Sequence, residues 1–200
     1  MRILLIGAGT VGEAIARLTA ERDWCEQMVV ADYDLDRATH VAEATGEPER
    51  FIAARIDASD QAAISQLARE HRSDLVMNAV DPQFVMPIFR AALDANTHYM
   101  DMATSLSKPD PEHPFERPGV KLGDEQFAMS DAWARSGKLA LLGMGMDPGL
   151  TDVFAAYARK HLFDEIDEVH VRDGGDLAIP GFAFAPVFSI WTTIEECLNP

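Results

Sequence analysis

Cysteine is scarce in this chain: two in 200 residues, Cys25 and Cys197, far apart and without metal-ligand spacing. That argues against a disulfide scaffold and against a zinc site, and for reduced thiols in the cytoplasm. Positive charge is scarce too. Lys and Arg number 17 against 33 Asp and Glu, a formal net charge of −16. No basic patch stands out, so neither nucleic acid nor an anionic membrane is expected as a partner, and the negative charge reads as solubility. No apolar run is long enough to span a bilayer. The apolar start is interrupted by glycines and lacks a small-residue cleavage site, so no secretory signal is expected. There is no H-E-x-x-H, and His113 and His161 have no partners at ligand spacing, so no metal is expected. No G-x-S-x-G of a serine hydrolase occurs, and no internal repeat or low-complexity stretch.

What the sequence does have is concentrated in its first 32 residues. Ile3-Leu4-Leu5-Ile6 is a short apolar run of the kind buried on both faces of a parallel sheet. It ends in Gly7-Ala8-Gly9-Thr10-Val11-Gly12, a G-x-G-x-x-G. A helix is expected next, with Val11, Ala14, Ile15 and Leu18 as its inward stripe. A second strand, Met28-Val29-Val30-Ala31, delivers Asp32 at the spacing of the dinucleotide fingerprint, about twenty residues past the last glycine. Gly7 permits the tight turn, Gly9 lets backbone approach a pyrophosphate, and Gly12 lets helix and strand pack closely. The helix N-terminus, with Thr10 and Val11 in its first turn, offers N–H groups to phosphate. Asp32 can accept from both ribose hydroxyls and would repel a 2′-phosphate, which predicts NAD rather than NADP. A tight turn in an α/β domain that binds no nucleotide is the competing reading.

Along the chain, Asp34 can cap a helix over 35–45, and 51–56 reads as a third strand. Asp57 and Ala58 fall where such a sheet presents a loop beside the adenine, although capping and turn chemistry explain Asp57 equally. Ser59 or Asp60 can cap the helix that follows. Residues 75–80 form a fourth strand whose end places Asn78, Ala79 and Val80 near the nicotinamide ribose. Pro82 and Pro87 bracket the entry to a helix running to about Asn96. Residues 97–102 read as a fifth strand. Residues 105–122, with Pro109, Pro111, Pro114 and Pro118, read as an irregular loop, either a binding loop or an insertion. A helix from Asp124 to Gly137 and a sixth strand at 138–144 complete a doubly wound α/β Rossmann domain over residues 1–150. After the turn Asp147-Pro148-Gly149, a helix at 150–161 and an alternating strand at 166–172 suit a half-solvated sheet. A turn at 173–176, an apolar cluster of Phe182, Phe184, Val187, Phe188 and Trp191, and a helix at 189–198 follow. Residues 151–200 thus read as the opening of an α+β second domain, truncated or completed by a partner chain.

Gly7-Ala8-Gly9-Thr10-Val11-Gly12, the Asp32 strand end, His98-Tyr99-Met100-Asp101 and Gly145-Met146-Asp147-Pro148-Gly149 together resemble the saccharopine dehydrogenase superfamily. Asp173-Gly174-Gly175 and Val187-Phe188-Ser189 resemble its L-lysine 6-dehydrogenase branch in particular. The resemblance implies a Rossmann domain followed by an α+β catalytic and dimerisation domain, pairing into a homodimer. It also implies an NAD(P)-dependent oxidoreductase acting at the C–N bond of an amino acid such as saccharopine or lysine. Hydride leaves the carbon bearing nitrogen, and a base takes the ammonium proton. His98 and Asp101, read as bracketing the carboxyl end of the fifth strand, are the candidate catalytic pair: His98 as base, Asp101 holding the ammonium or orienting the base. For His98 a surface histidine, and for Asp101 a loop hydrogen bond, are the alternatives. Asp147 reads as acceptor or helix cap, and Arg172 as a carboxylate partner or an exposed strand end. A non-catalytic dinucleotide-binding module, such as a redox-sensing subunit, is the second reading.

Overall fold

The computed structural model of the protein describes residues 1–172, 174 and 179–182. A six-stranded, all-parallel sheet occupies the centre. Its strands are β1 (Arg2–Ile6), β2 (Gln27–Asp32), β3 (Phe51–Arg55), β4 (Leu75–Asn78), β5 (His98–Asp101) and the short β8 (Ala140–Leu141), in the order β3-β2-β1-β4-β5-β8. Helices α1 (Thr10–Ala20), α2 (Leu35–Glu43), α3 (Gln61–Glu70) and α4 (Val85–Asp94) connect the first five. The order reverses between β1 and β4, the switch point at which an open α/β sheet receives its ligand.

Both sheet faces are covered, and β1 shows why its residues are apolar without alternation. Leu4 and Ile6 pack with Val29, Val76, Ile64, Ile88 and Phe89 on one side. Ile3 and Leu5 pack with Met28, Val30, Ala38 and Val41 on the other. Burying each such side chain is worth about 1.5–3 kcal/mol, and a strand facing two helical layers collects that on every residue. The caps expected from sequence form: Asp34 Oδ1 accepts from the N–H of Asp36 and Arg37, and Asp60 Oδ1 from that of Ala63.

Four expectations need correction. The inward face of α1 is Gly12, Ala16 and Thr19, whereas Val11 and Leu18 are 49% and 59% exposed. Helix and strand approach so closely at Gly12 that only small residues fit between them. The 105–122 segment carries a two-stranded antiparallel sheet, β6 (Lys108–Pro109) with β7 (Pro118–Val120). The expected 124–137 helix is two, α5 (Asp124–Phe127) and α6 (Ser130–Ser136). Helix α7 (Leu150–His161) forms as expected, but 166–172 is not a strand: its residues find no ladder partner among the described residues. Most of the expected turn at 173–176 (all but Gly174), most of the aromatic cluster (Phe184, Val187, Phe188, Trp191), the helix at 189–198 and Cys197 lie outside the described residues.

Candidate nucleotide site

The turn after β1 is set by backbone before any ligand is considered. Gly7 adopts φ 107°, and its N–H donates to Ala31 O at 2.8 Å. A Cβ on Gly7 would lie 2.5 Å from Ala79 O, and one on Gly12 would lie 1.9 Å from Gly7 O. Fold geometry therefore accounts for two of the three fingerprint glycines. Gly9 is different. Its φ of −76° suits any residue, and a Cβ there would meet nothing within 4 Å. Among the described residues nothing requires glycine at position 9, and its missing Cβ leaves room for a group that approaches the loop. No side chain caps α1, whose first residues Thr10 and Val11 are exposed beside that space. A pyrophosphate fits this cradle of uncapped N–H groups and missing Cβ.

Asp32 closes β2 at the rim of the cradle, its side chain 11% exposed. Its Oδ2 accepts from the Ala8 N–H at 2.8 Å and its Oδ1 from the Asp34 N–H at 2.9 Å. The carboxylate thus braces the glycine loop. Two cations flank it: Arg37, on the helix that follows and visible in the sequence, and Arg55, whose placement on the neighbouring strand was not. Arg37 Nη1 stands 4.0 Å from Asp32 Oδ1, and the Arg55 guanidinium lies over the exposed Tyr33 ring, 5.2 Å from its centroid. Asp57 follows β3 nearby, and its Oδ1 accepts from Ser59 Oγ at 2.6 Å and from the Ser59 N–H at 2.8 Å. The hydroxyl bond first, then the backbone bond, holds this carboxyl below its ordinary range. That is the turn chemistry set against the adenine role in the sequence reading; Ala58 is half-buried beside it.

At the switch point Asn78, Ala79 and Val80 lie directly against the glycine loop, through Ala79 O and Val80 Cγ1 at Gly7. The two candidate catalytic residues part company. His98 opens β5, paired with Leu75 at the amino end of β4, and its Nδ1 accepts from the Leu139 N–H at 3.0 Å. It lies at the sheet end away from the glycine loop, because a four-residue strand carries residues 98 and 101 to opposite ends of the sheet. Asp101 closes β5 beside Asn78, at the nucleotide end, and is buried. Burial raises its pKa, against the lowering effect of donors from Gly143, Gln126 and Tyr99. Tyr99 and Gln126 are residues the sequence reading passed over. Tyr99 had a signal, since residues two apart on a strand share a face; Gln126, brought in from α5, had none. Asp147 is exposed and accepts from Thr151 Oγ1 at 3.1 Å, while Asp152 rather than Asp147 receives the Gly149 N–H that opens α7. Arg172 is exposed and in no strand.

Comparison with known proteins agrees with this geometry. The chain is 32% identical over 208 residues to the carboxynorspermidine synthase of Vibrio cholerae, covering 98% of this chain and 48% of that protein. It is 31% identical over 197 residues to the carboxyaminopropylagmatine dehydrogenase of Synechocystis, covering 98% and 46%. The chain thus spans about half the length of these relatives. The fold matches the apo saccharopine dehydrogenase (L-Glu forming) of Saccharomyces cerevisiae with a TM-score of 0.62 at 19% identity, over 80% of this chain and 31% of that one. The sequence model of one family, described as "Saccharopine dehydrogenase NADP binding domain", matches residues 3–141, and the chain belongs to that family.

Proposed function

We propose that this chain is the nucleotide-binding portion of a nicotinamide-dependent oxidoreductase acting at a C–N bond. The observation that carries the reading is Gly9: a glycine that the fold does not require, facing open space at an uncapped helix start. Gly7, Gly9, Thr10, Val11 and Gly12 would hold the pyrophosphate, Asp32 the adenosine ribose, and Asn78, Ala79 and Val80 the nicotinamide ribose. The bound nicotinamide supplies the hydride acceptor or donor. The chain's own part is to hold it at the carboxyl ends of β4 and β5 and to keep water from the reacting carbon.

Three finer points are proposed with it. The substrate class is a carboxylated polyamine-type amine rather than lysine or saccharopine, supported by the names of the two relatives. The nucleotide is NADP rather than the NAD read from Asp32 alone, supported by Arg37 and Arg55 and by the family's description. Guanidinium groups are suited to a 2′-phosphate because they donate in a fork that matches it. The segment after residue 150 opens a second unit, supported by the exposed apolar residues Val153, Phe154 and Tyr157 of α7.

The test is nicotinamide turnover by the full-length protein, followed by absorbance, with carboxynorspermidine, saccharopine and lysine as alternative substrates. Turnover with carboxynorspermidine is expected. Turnover with saccharopine or lysine alone overturns the substrate class. Tight nucleotide binding without turnover on any amine favours the non-catalytic module.

A further inference from the structure

Seven polar groups at the carboxyl end of the sheet are joined by six hydrogen bonds that all lead to Asp101. The Val80 N–H donates to Asn78 Oδ1 at 3.1 Å, and Asn78 Nδ2 donates to the Tyr99 hydroxyl at 3.2 Å. The Tyr99 hydroxyl donates to Asp101 Oδ2 at 2.9 Å. From the other side the Ser105 N–H donates to Gln126 Oε1 at 2.8 Å, and Gln126 Nε2 donates to the same Asp101 Oδ2 at 2.8 Å. The Gly143 N–H donates to Asp101 Oδ1 at 2.6 Å. Asn78, Tyr99, Asp101, Ser105 and Gln126 are each at most 2% exposed.

The directions are forced. A backbone N–H can only donate, so Val80 fixes which end of the Asn78 amide is oxygen, and Ser105 fixes the same for Gln126. The Tyr99 hydroxyl, having accepted from Asn78, must donate onward. Every partner of Asp101 is therefore a donor, and its carboxylate is where the chain ends. Three donors from the protein hold this carboxylate, two on Oδ2 and one on Oδ1, and at 1% exposure it presents no open face to a substrate. What it does hold are three backbone segments: 78–80 through Tyr99 and Asn78, 105 through Gln126, and 143 directly. The first of these packs on Gly7.

We propose that Asp101 is a positioning residue, not a proton carrier: with Tyr99, Asn78 and Gln126 it sets the loops after β4, β5 and β8 relative to the glycine loop. Its affinity readout rests on the nucleotide reading above; its placement readout does not.

The experiment compares the full-length wild-type protein with Asp101→Asn, Gln126→Glu, the exchanged pair Asp101→Asn/Gln126→Glu, and Tyr99→Phe. NADPH affinity is measured by fluorescence titration and backbone exchange by mass spectrometry. In Asp101→Asn the amide NH2 faces a donor whichever way it turns, the Gly143 N–H on one side or Tyr99 and Gln126 on the other, and NADPH affinity falls about tenfold. The exchanged pair restores the 101–126 contact and the Ser105 contact, leaving only the Tyr99 proton without an acceptor, so affinity returns to within about threefold of wild type. Amides of Val80 and Gly7, which Asp101 does not touch, exchange faster in Asp101→Asn and less so in the exchanged pair. If Asp101→Asn does not fold, Tyr99→Phe, which cuts the chain without changing the packed ring, is expected to weaken NADPH about threefold and to loosen Val80. Wild-type NADPH affinity in a folded Asp101→Asn or Tyr99→Phe protein, even with a lowered melting temperature, overturns the proposal. So does an exchanged pair no better than Asp101→Asn, because the carboxylate at 101 would then be needed for itself. If the wild type binds neither NADPH nor NADH, the nucleotide reading fails, and the Val80 and Gly7 amides decide: faster exchange in Asp101→Asn supports the positioning role, unchanged exchange overturns it.

Discussion

Gly9 and Gly12 sit three residues apart in one motif, and the structure assigns them opposite sensitivities. In Gly12→Ala the new methyl would stand 1.9 Å from Gly7 O, a backbone atom that cannot rotate away. Relief requires moving the start of α1 by about 1.5 Å, since carbon and oxygen settle near 3.4 Å or beyond. Overpacking by a methyl costs about 1–3 kcal/mol, and a rigid neighbour puts this case at the upper end. For a unit of this size that is a fall in melting temperature of about 6–12 °C. In Gly9→Ala the methyl enters empty space at an allowed φ, so the unliganded melting temperature stays within about 2 °C of wild type. Saturating nucleotide adds about 2.7 kcal/mol to wild type at a hundred times Kd, or about 5–11 °C. Gly9→Val loses that increment, because its side chain fills the position of the pyrophosphate. Thermal unfolding of the four proteins with and without NADPH reads every arm. A Gly9→Val protein that keeps both its stability and its ligand shift would falsify the assignment of the cradle, and a Gly12→Ala protein as stable as wild type would refute the close-approach geometry.

Three further outcomes are expected. Because burial raises the pKa of Asp101, the native state keeps its proton where the unfolded chain has released it. Its contribution to stability is therefore complete below the ordinary 3.8 and declines as pH rises through the folded value; denaturation curves should show wild type losing ground to Asp101→Asn over that interval, and a difference flat with pH refutes it. Burial also raises the pKa of Cys25, outweighing the nearby Arg50 charge, so peptide mapping after alkylation at neutral pH should find Cys25 unmodified in native protein and modified in denaturant; rapid native labelling contradicts its burial. Arg37→Ala/Arg55→Ala should lower NADP affinity roughly tenfold or more and leave NAD nearly unchanged; an equal loss for both nucleotides sinks the proposed phosphate contact.

The Rossmann sheet was legible in the sequence because its signals are local. Apolar runs, capping aspartates at 34 and 60, and the glycine motif each declare a strand, a helix start or a turn within a few residues. What the sequence hid depends on contacts across the fold. Val11 and Leu18 have the right period for α1, but the closeness of Gly12 to Gly7 O turns the small residues inward instead. His98 and Asp101 look equivalent on paper, yet a four-residue strand separates them to opposite ends of the sheet. Gln126 meets Asp101 only because α5 folds back over the strand ends, and Arg55 nears Asp32 only because β3 pairs with β2.

The bond from Ala8 N–H to Asp32 gives the phosphate loop its shape before any ligand arrives. On the proposed reading, a loop already in its receiving form loses little entropy on binding, and capture of nucleotide is expected to be governed by encounter, not by a slow ordering step. The same bond couples two properties that protein engineers try to change separately. Replacing Asp32 to alter the choice between NAD and NADP also removes the strut under the loop, and weakens both nucleotides together. Arg37 and Arg55 carry no such strut, so a redesign of nucleotide preference that leaves association fast begins with them and keeps Asp32 in place.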